Sequence, residues 1–280
     1  MNSIGLIQNL KSFFEPNGDE IIDMMVDAGI ETLQVLINDT SCDLLTAQNA
    51  ESLLKKTEGK LKITSVWGGW HTGGAVWNFV EGPSTLGIVP EELRKARLAE
   101  LKLDADFANL LGVKDMANHV GFIPEQPCYP EYRGVVDAIS EIADYCAKYG
   151  ISFNFETGQE TPVTLMRTIK DTGRTNLGVN LDPANLIVYG RANPIDAIDI
   201  YGDKIKGVHI KDGLYPKEDY YKLGKQVPVG EGAVNFPIFL PKLIKSGYKG
   251  DLYIEHEMSN RDRAEDIKKT VKYIRSLIIQ

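Results

Sequence analysis

Four residues in the second half of the chain have the types from which a divalent-cation site is built. They are Glu156 in NFETGQE, Asp182 in NLDPANL, His209 in VHIKD and Glu255 in LYIEHE, and each stands at or near the end of an apolar run. Taken singly, a strand-end carboxylate more often pairs with a lysine or caps the next helix. Taken together, three carboxylates beside one imidazole repel one another unless a cation sits among them. One nitrogen with several oxygens suits a hard or borderline ion, so one Mn²⁺, Mg²⁺ or Co²⁺ per chain is expected, Mn²⁺ first, with Zn²⁺ also open.

The four can meet only if the fold brings their strands side by side. Apolar runs at 3–7, 31–37, 61–67, 113–119, 151–156, 176–182, 205–210 and 251–255 read as strands. Helical patterns such as DEIIDMMVDAG, PEELRKARLAELKLDADFANLLG, VVDAISEIADYCAKYG and RDRAEDIKKTVKYIRSLI lie between them, several closed by glycine. Eight strand-helix units in 280 residues predict one α/β domain over 1–280, a (β/α)₈ TIM barrel. An open doubly wound sheet is the rival, but no glycine-rich phosphate fingerprint follows the first strand. The barrel demands that site residues share an inward phase. In ISFNFE, Phe153 and Phe155 face helices while Glu156 faces in; NLGVNLD turns Asp182 inward, IKGVHI turns His209 inward, and DLYIE turns Glu255 inward.

Other residues have two readings. His119, ending the fourth strand, has the inward phase and reads as a general acid or hydroxyl binder. His71 follows the third strand in a long loop and suits a site or a surface equally, whereas His256 is out of phase and reads as structural. Lys211 can reach a substrate oxygen or form an ion pair with neighbouring acids, and Glu160 can orient the site or open a helix. Trp67, Trp70 and Trp77 in VWGGWHTGGAVWNF resemble a sugar-binding lid, with indoles to stack on sugar faces and glycines as hinges.

The net charge of −8, with no basic stripe, argues against nucleic acid as a partner. Cys42, Cys128 and Cys146 are odd in number and widely spaced, which suits reduced thiols. With no basic leader before the first apolar residues and no membrane-length run, a soluble cytoplasmic protein without a membrane partner is expected; a homo-oligomer is left open.

NFETGQE, NLDPANL, VHIKD, VGEGAVNFPIFL and LYIEHE resemble the successive motifs of the xylose isomerase-like TIM barrels, a superfamily of sugar isomerases, ketose 3-epimerases, inosose-processing enzymes and apurinic-site endonucleases. The resemblance implies that Glu156, Asp182, His209 and Glu255 bind one divalent metal. It also implies, from the epimerases, that Glu156 and Glu255 serve as acid and base. There are departures. Asn185 stands where epimerases and endonucleases carry a histidine, which removes a ligand for a second metal and leaves Asn185 as a substrate contact. Gln34 is offered where the epimerases end their second strand with glutamate, and the loop after His209 lacks their arginine. The expected activity is a metal-dependent sugar isomerase or epimerase acting on a ketose or related small-molecule sugar, with His119 as a further catalytic group and Trp67, Trp70, His71 and Lys211 contacting the substrate. A lyase or hydratase acting on keto-sugars or keto-glycosides is the alternative. An abasic-site endonuclease and a non-catalytic sugar-binding protein stand behind it.

Overall fold

A computed structural model describes residues 2–38, 41–259 and 261–278. Strands β1 (Ile4–Asn9), β2 (Thr32–Leu36), β3 (Lys62–Trp67), β4 (Asp115–Asn118), β5 (Ser152–Glu156), β6 (Leu177–Leu181), β7 (Ile205–Ile210) and β10 (Leu252–Ile254) close a parallel barrel. Its order, β1-β10-β7-β6-β5-β4-β3-β2, is sequential, with β1 paired to β2. This is the (β/α)₈ barrel that the strand spacing predicts. Several observed strands end earlier than the apolar runs. β4 stops at Asn118, so His119 stands just beyond it, and Asp182 and Glu255 likewise follow the last residues of β6 and β10.

The side-chain phases hold. Phe153, Phe155, Leu177, Val179, Leu181, Val208, Ile210, Leu252 and Ile254 are all buried in the layer between barrel and helices. Pleating therefore sends their neighbours into the barrel, where side-chain volume on one strand is matched by glycine on the next. A Cβ on Gly207 would meet the Asn180 amide oxygen at 2.3 Å, so only glycine leaves room for that asparagine. Helix ends are set by local chemistry. Thr161 caps Pro162–Thr172, and Gly173 closes it at φ 67.

One element was not foreseen. The segment after β7, read from sequence as a plain loop, contains β8 (Asp212–Leu214) and β9 (Lys225–Val227), an antiparallel hairpin. Asp212 anchors it, accepting hydrogen bonds from the backbone N–H groups of Gly213, Gly230, Gly232 and Val234. A Cβ on Gly232 would lie 2.0 Å from the Asp212 carboxylate, which accounts for the second glycine of VGEG, while the first, Gly230, has φ 95. Among the described residues no helix is long and apolar enough to cross a membrane.

Candidate metal centre and cavity

At the C-terminal end of the barrel, Glu156, Asp182, His209 and Glu255 each offer a ligand atom within 4.8 Å of the other three. His209 Nδ1 is the hub, 3.1 Å from Glu156 Oε1, 3.1 Å from Glu255 Oε2 and 3.7 Å from Asp182 Oδ2. The strand register explains the convergence: Glu156 pairs with Asn180 of β6, and Tyr253, two residues before Glu255, pairs with His209.

The donor set fits a hard or borderline cation. Asp182 Oδ1 caps the following helix through Asn185 N at 2.8 Å, while Oδ2, fully buried, has no hydrogen-bond partner. An orphaned buried carboxylate oxygen beside two more carboxylates is accounted for if positive charge is bound there. Burial disfavours a charged His209, yet the carboxylates of Glu156 and Glu255 outweigh it and raise its pKa well above the usual value. The carboxyl of Glu156 is opposed by burial, but His119 and His209 hold it well below the usual range. The site is built for positive charge.

The surrounding side chains divide the work. Trp67 Nε1 donates to Glu156 Oε2, and Asn185 Nδ2 donates to Glu156 Oε1 at 3.2 Å. Asn185 thus reaches a carboxylate from the position where a second-metal histidine was sought. His119 Nε2 lies 3.4 Å from Glu156 Oε1, its ring between the edges of Trp67 and Trp77, and its Nδ1 is buried without a partner. Lys211 is buried among acids, 3.2 Å from Glu255, 3.8 Å from Asp182 and 2.5 Å from Glu257. The ion-pair reading holds, and Lys211 also lines the cavity above the cluster. His256 bonds Asp266 at 3.1 Å and is structural, as its phase predicts.

The cavity encloses about 620 Å³. Glu255, Lys211, Asn185, His119 and His71 lie in its wall together with Trp67, Trp70 and Trp77. Glu156, deeper and 2% exposed, lies beneath it.

Two sequence expectations change. The tryptophan-rich segment is not a free lid along its length. Trp67 ends β3, and Trp70 is buried over the Arg97 guanidinium, 5.1 Å from ring centroid to Cζ. Arg97, fully buried, donates to the carbonyls of Thr72, Gly74, Thr85 and Gly87, and Glu100 accepts from the backbone N–H groups of His71 and Thr72. These long-range clamps come from a helix (Glu91–Leu110) whose pattern shows only a buried face. Gln34, which stands where the epimerases' glutamate would be, is a support for the cluster. Fully buried, it accepts from His209 Nε2 at 2.7 Å and donates to Ser65 Oγ at 3.0 Å. Glu160 does not cap a helix, a role taken by Thr161; it is buried, and its pKa is pushed up to about 7 by burial against a smaller opposing pull from His119. Glu257, which fixes Lys211 from the rim, went unnoticed because a charged residue after a strand is the commonest surface pattern.

Residues 22–277 match the xylose isomerase-like TIM barrel family. The chain belongs to that family. It is similar to a xylose isomerase domain protein from Planctomyces limnophilus, at 29% identity over 98% of this chain and 96% of that one, TM-score 0.88. It shares its fold with a D-tagatose 3-epimerase-like protein, at 21% identity over 99% of this chain and 97% of the other, TM-score 0.74. An inosose dehydratase from Geobacillus kaustophilus is 25% identical over 146 residues, 45% of this chain and 46% of that protein. The chain spans about half the length of the curated relatives it matches.

Proposed function

We propose that this member of the xylose isomerase-like family is a divalent-metal-dependent isomerase or epimerase acting on a ketose or related sugar. The observation that carries the reading is the meeting of Glu156, Asp182, His209 and Glu255 within 4.8 Å under a cavity walled by indole rings. These four residues would hold the ion, with Mn²⁺ the first choice for the donor set. When bound, the ion supplies the charge that stabilises an oxyanion as the neighbouring C–H proton leaves.

The chain's own residues supply the proton transfer. Glu156 Oε1 and Glu255 Oε2 each lie 3.1 Å from His209 Nδ1, so two carboxylates from different strand ends would meet at the bound ion. One removes the proton and the other returns it from the opposite face, so a carbinol centre inverts. Lys211, itself held by Glu257, orients Glu255 from the rim, and Trp67 and Asn185 orient Glu156 by donating to its two oxygens. A single base returning the proton to the adjacent carbon would give aldose-ketose exchange. His119, beside Glu156 and in the cavity wall, donates to a substrate oxygen.

His119 also favours a second reading. An acid beside the deprotonating base suits expulsion of a β-hydroxyl, and the partial likeness to an inosose dehydratase supports a lyase of that kind. Incubating the Mn²⁺-loaded protein with ketoses, keto-inositols and keto-glycosides, followed by product analysis, separates the two. An epimer or isomer of unchanged mass is expected. Loss of water would select the lyase, and no conversion of any sugar would overturn both.

A further inference from the structure

The cavity is divided by chemistry along the order of the strands. β5, β6, β7 and β10 deliver the charged cluster, whereas at the same level Ile7 of β1, Leu36 of β2, Trp67 of β3 and Ala117 of β4 form one small apolar cluster of their own. That apolar half continues outward. Trp67 and Trp70 lie 6.4 Å apart, Trp70 and Trp77 6.5 Å apart, and Trp77 is 44% exposed at the rim. Three indoles therefore run from Glu156, which Trp67 touches, to solvent. A sugar ring held at the metal position needs only the inner one as a stacking wall.

The same cavity offers little to an anion. Lys211 is already committed to Glu255, Glu257 and Asp182. The backbone N–H groups of His71 and Thr72, which could have met a phosphate in this glycine-rich loop, go to the Glu100 carboxylate instead. Glu257 adds a further acid to the wall. A phosphate would meet net negative potential here.

We infer that the substrate is an unphosphorylated keto-glycoside, its oxidised sugar at the metal cluster and an apolar, aromatic-sized aglycone on the Leu36–Trp70–Trp77 side. This rests on the sugar reading above, but it is tested by binding rather than turnover. A cavity of about 620 Å³ has room for both parts, and it falls within the range of roughly 300–1,000 Å³ usual for ligand sites. Burying a phenyl group against indoles stabilises a complex by about 1.5–3 kcal/mol, at least about tenfold in affinity.

The experiment is calorimetric titration of the Mn²⁺-loaded protein with methyl β-D-glucoside, phenyl β-D-glucoside, glucose and glucose 6-phosphate. Phenyl glucoside is expected to bind at least about tenfold more tightly than methyl glucoside, and glucose 6-phosphate no more tightly than glucose. Trp77→Ala, at an exposed rim position, should bring the phenyl and methyl affinities together. Equal affinities in the wild type, tighter binding of the phosphate, or no binding of either glucoside would overturn the assignment. None of these results bears on whether a free ketose is converted, so failure of the reaction reading shows separately in the product panel.

Discussion

Gln34 Oε1 accepts a hydrogen bond from His209 Nε2 at 2.7 Å, joining β2 to β7 across the barrel interior over 175 positions of sequence. Because the Gln34 Nε2 amide donates to Ser65 Oγ, the Gln34 oxygen is the group left for histidine, and His209 Nε2 carries the proton. Nδ1 is the nitrogen that faces Glu156, Asp182 and Glu255, carrying a proton toward them while no cation is bound and offering its lone pair once one is. The tautomer that a metal ligand needs is fixed from behind.

Gln34→Leu removes that acceptor while keeping the volume. Mn²⁺ affinity, measured by chelator competition, should fall about 10- to 100-fold. Gln34→Glu, which keeps an acceptor at the same reach, should retain more of it. An unchanged affinity in Gln34→Leu would mean that the ring is oriented by packing alone.

Arg97→Ala leaves the carbonyls of Thr72, Gly74, Thr85 and Gly87 without their buried donor. A loss of about 3 kcal/mol in urea unfolding is expected, with faster proteolysis within residues 72–87. Arg97→Lys should recover little, because an ammonium cannot reproduce the planar fork that serves several carbonyls at once. Equal stability of the alanine variant and the wild type would show that the loop holds itself.

The barrel and its four-residue cluster were legible because both rest on local rules. Alternation in ISFNFE or NLGVNLD fixes which side chains face inward, and strand order then brings Glu156, Asp182, His209 and Glu255 together. What could not be read depends on distance and on backbone partners. Arg97 looks like any helix arginine until the carbonyls of a loop ten to twenty-five residues away are placed around it, and Gln34 looks like a ligand-facing amide until Ser65 and His209 are seen to occupy it. The β8–β9 hairpin escaped because its strands are three residues each, too short for alternation to register, and it is held by Asp212 rather than by an apolar face.

Glu160 predicts a pH dependence of stability. Burial lifts its pKa to about 7 in the folded chain, while an unfolded carboxyl ionises near the usual ~4.3. Below that lower value both states are protonated and nothing is lost. As pH rises through the interval only the unfolded state ionises, so stability falls until the folded pKa is passed. Glu160→Gln cannot ionise, so its Tm should match the wild type near pH 4 and exceed it increasingly up to about pH 7. Parallel Tm curves from acid to neutral pH would contradict the assignment.

On the proposed mechanism, one ion held by Glu156, Asp182, His209 and Glu255 is required for proton removal from the sugar. The most direct test is a titration of metal-stripped protein with Mn²⁺ in D₂O, following deuterium entry at the reacting carbon of a converted sugar by NMR. Exchange should be absent at the start, rise in proportion to added metal and level off at one ion per chain. Exchange that is already full in the stripped protein, or that levels off only at two or more ions per chain, would contradict the account.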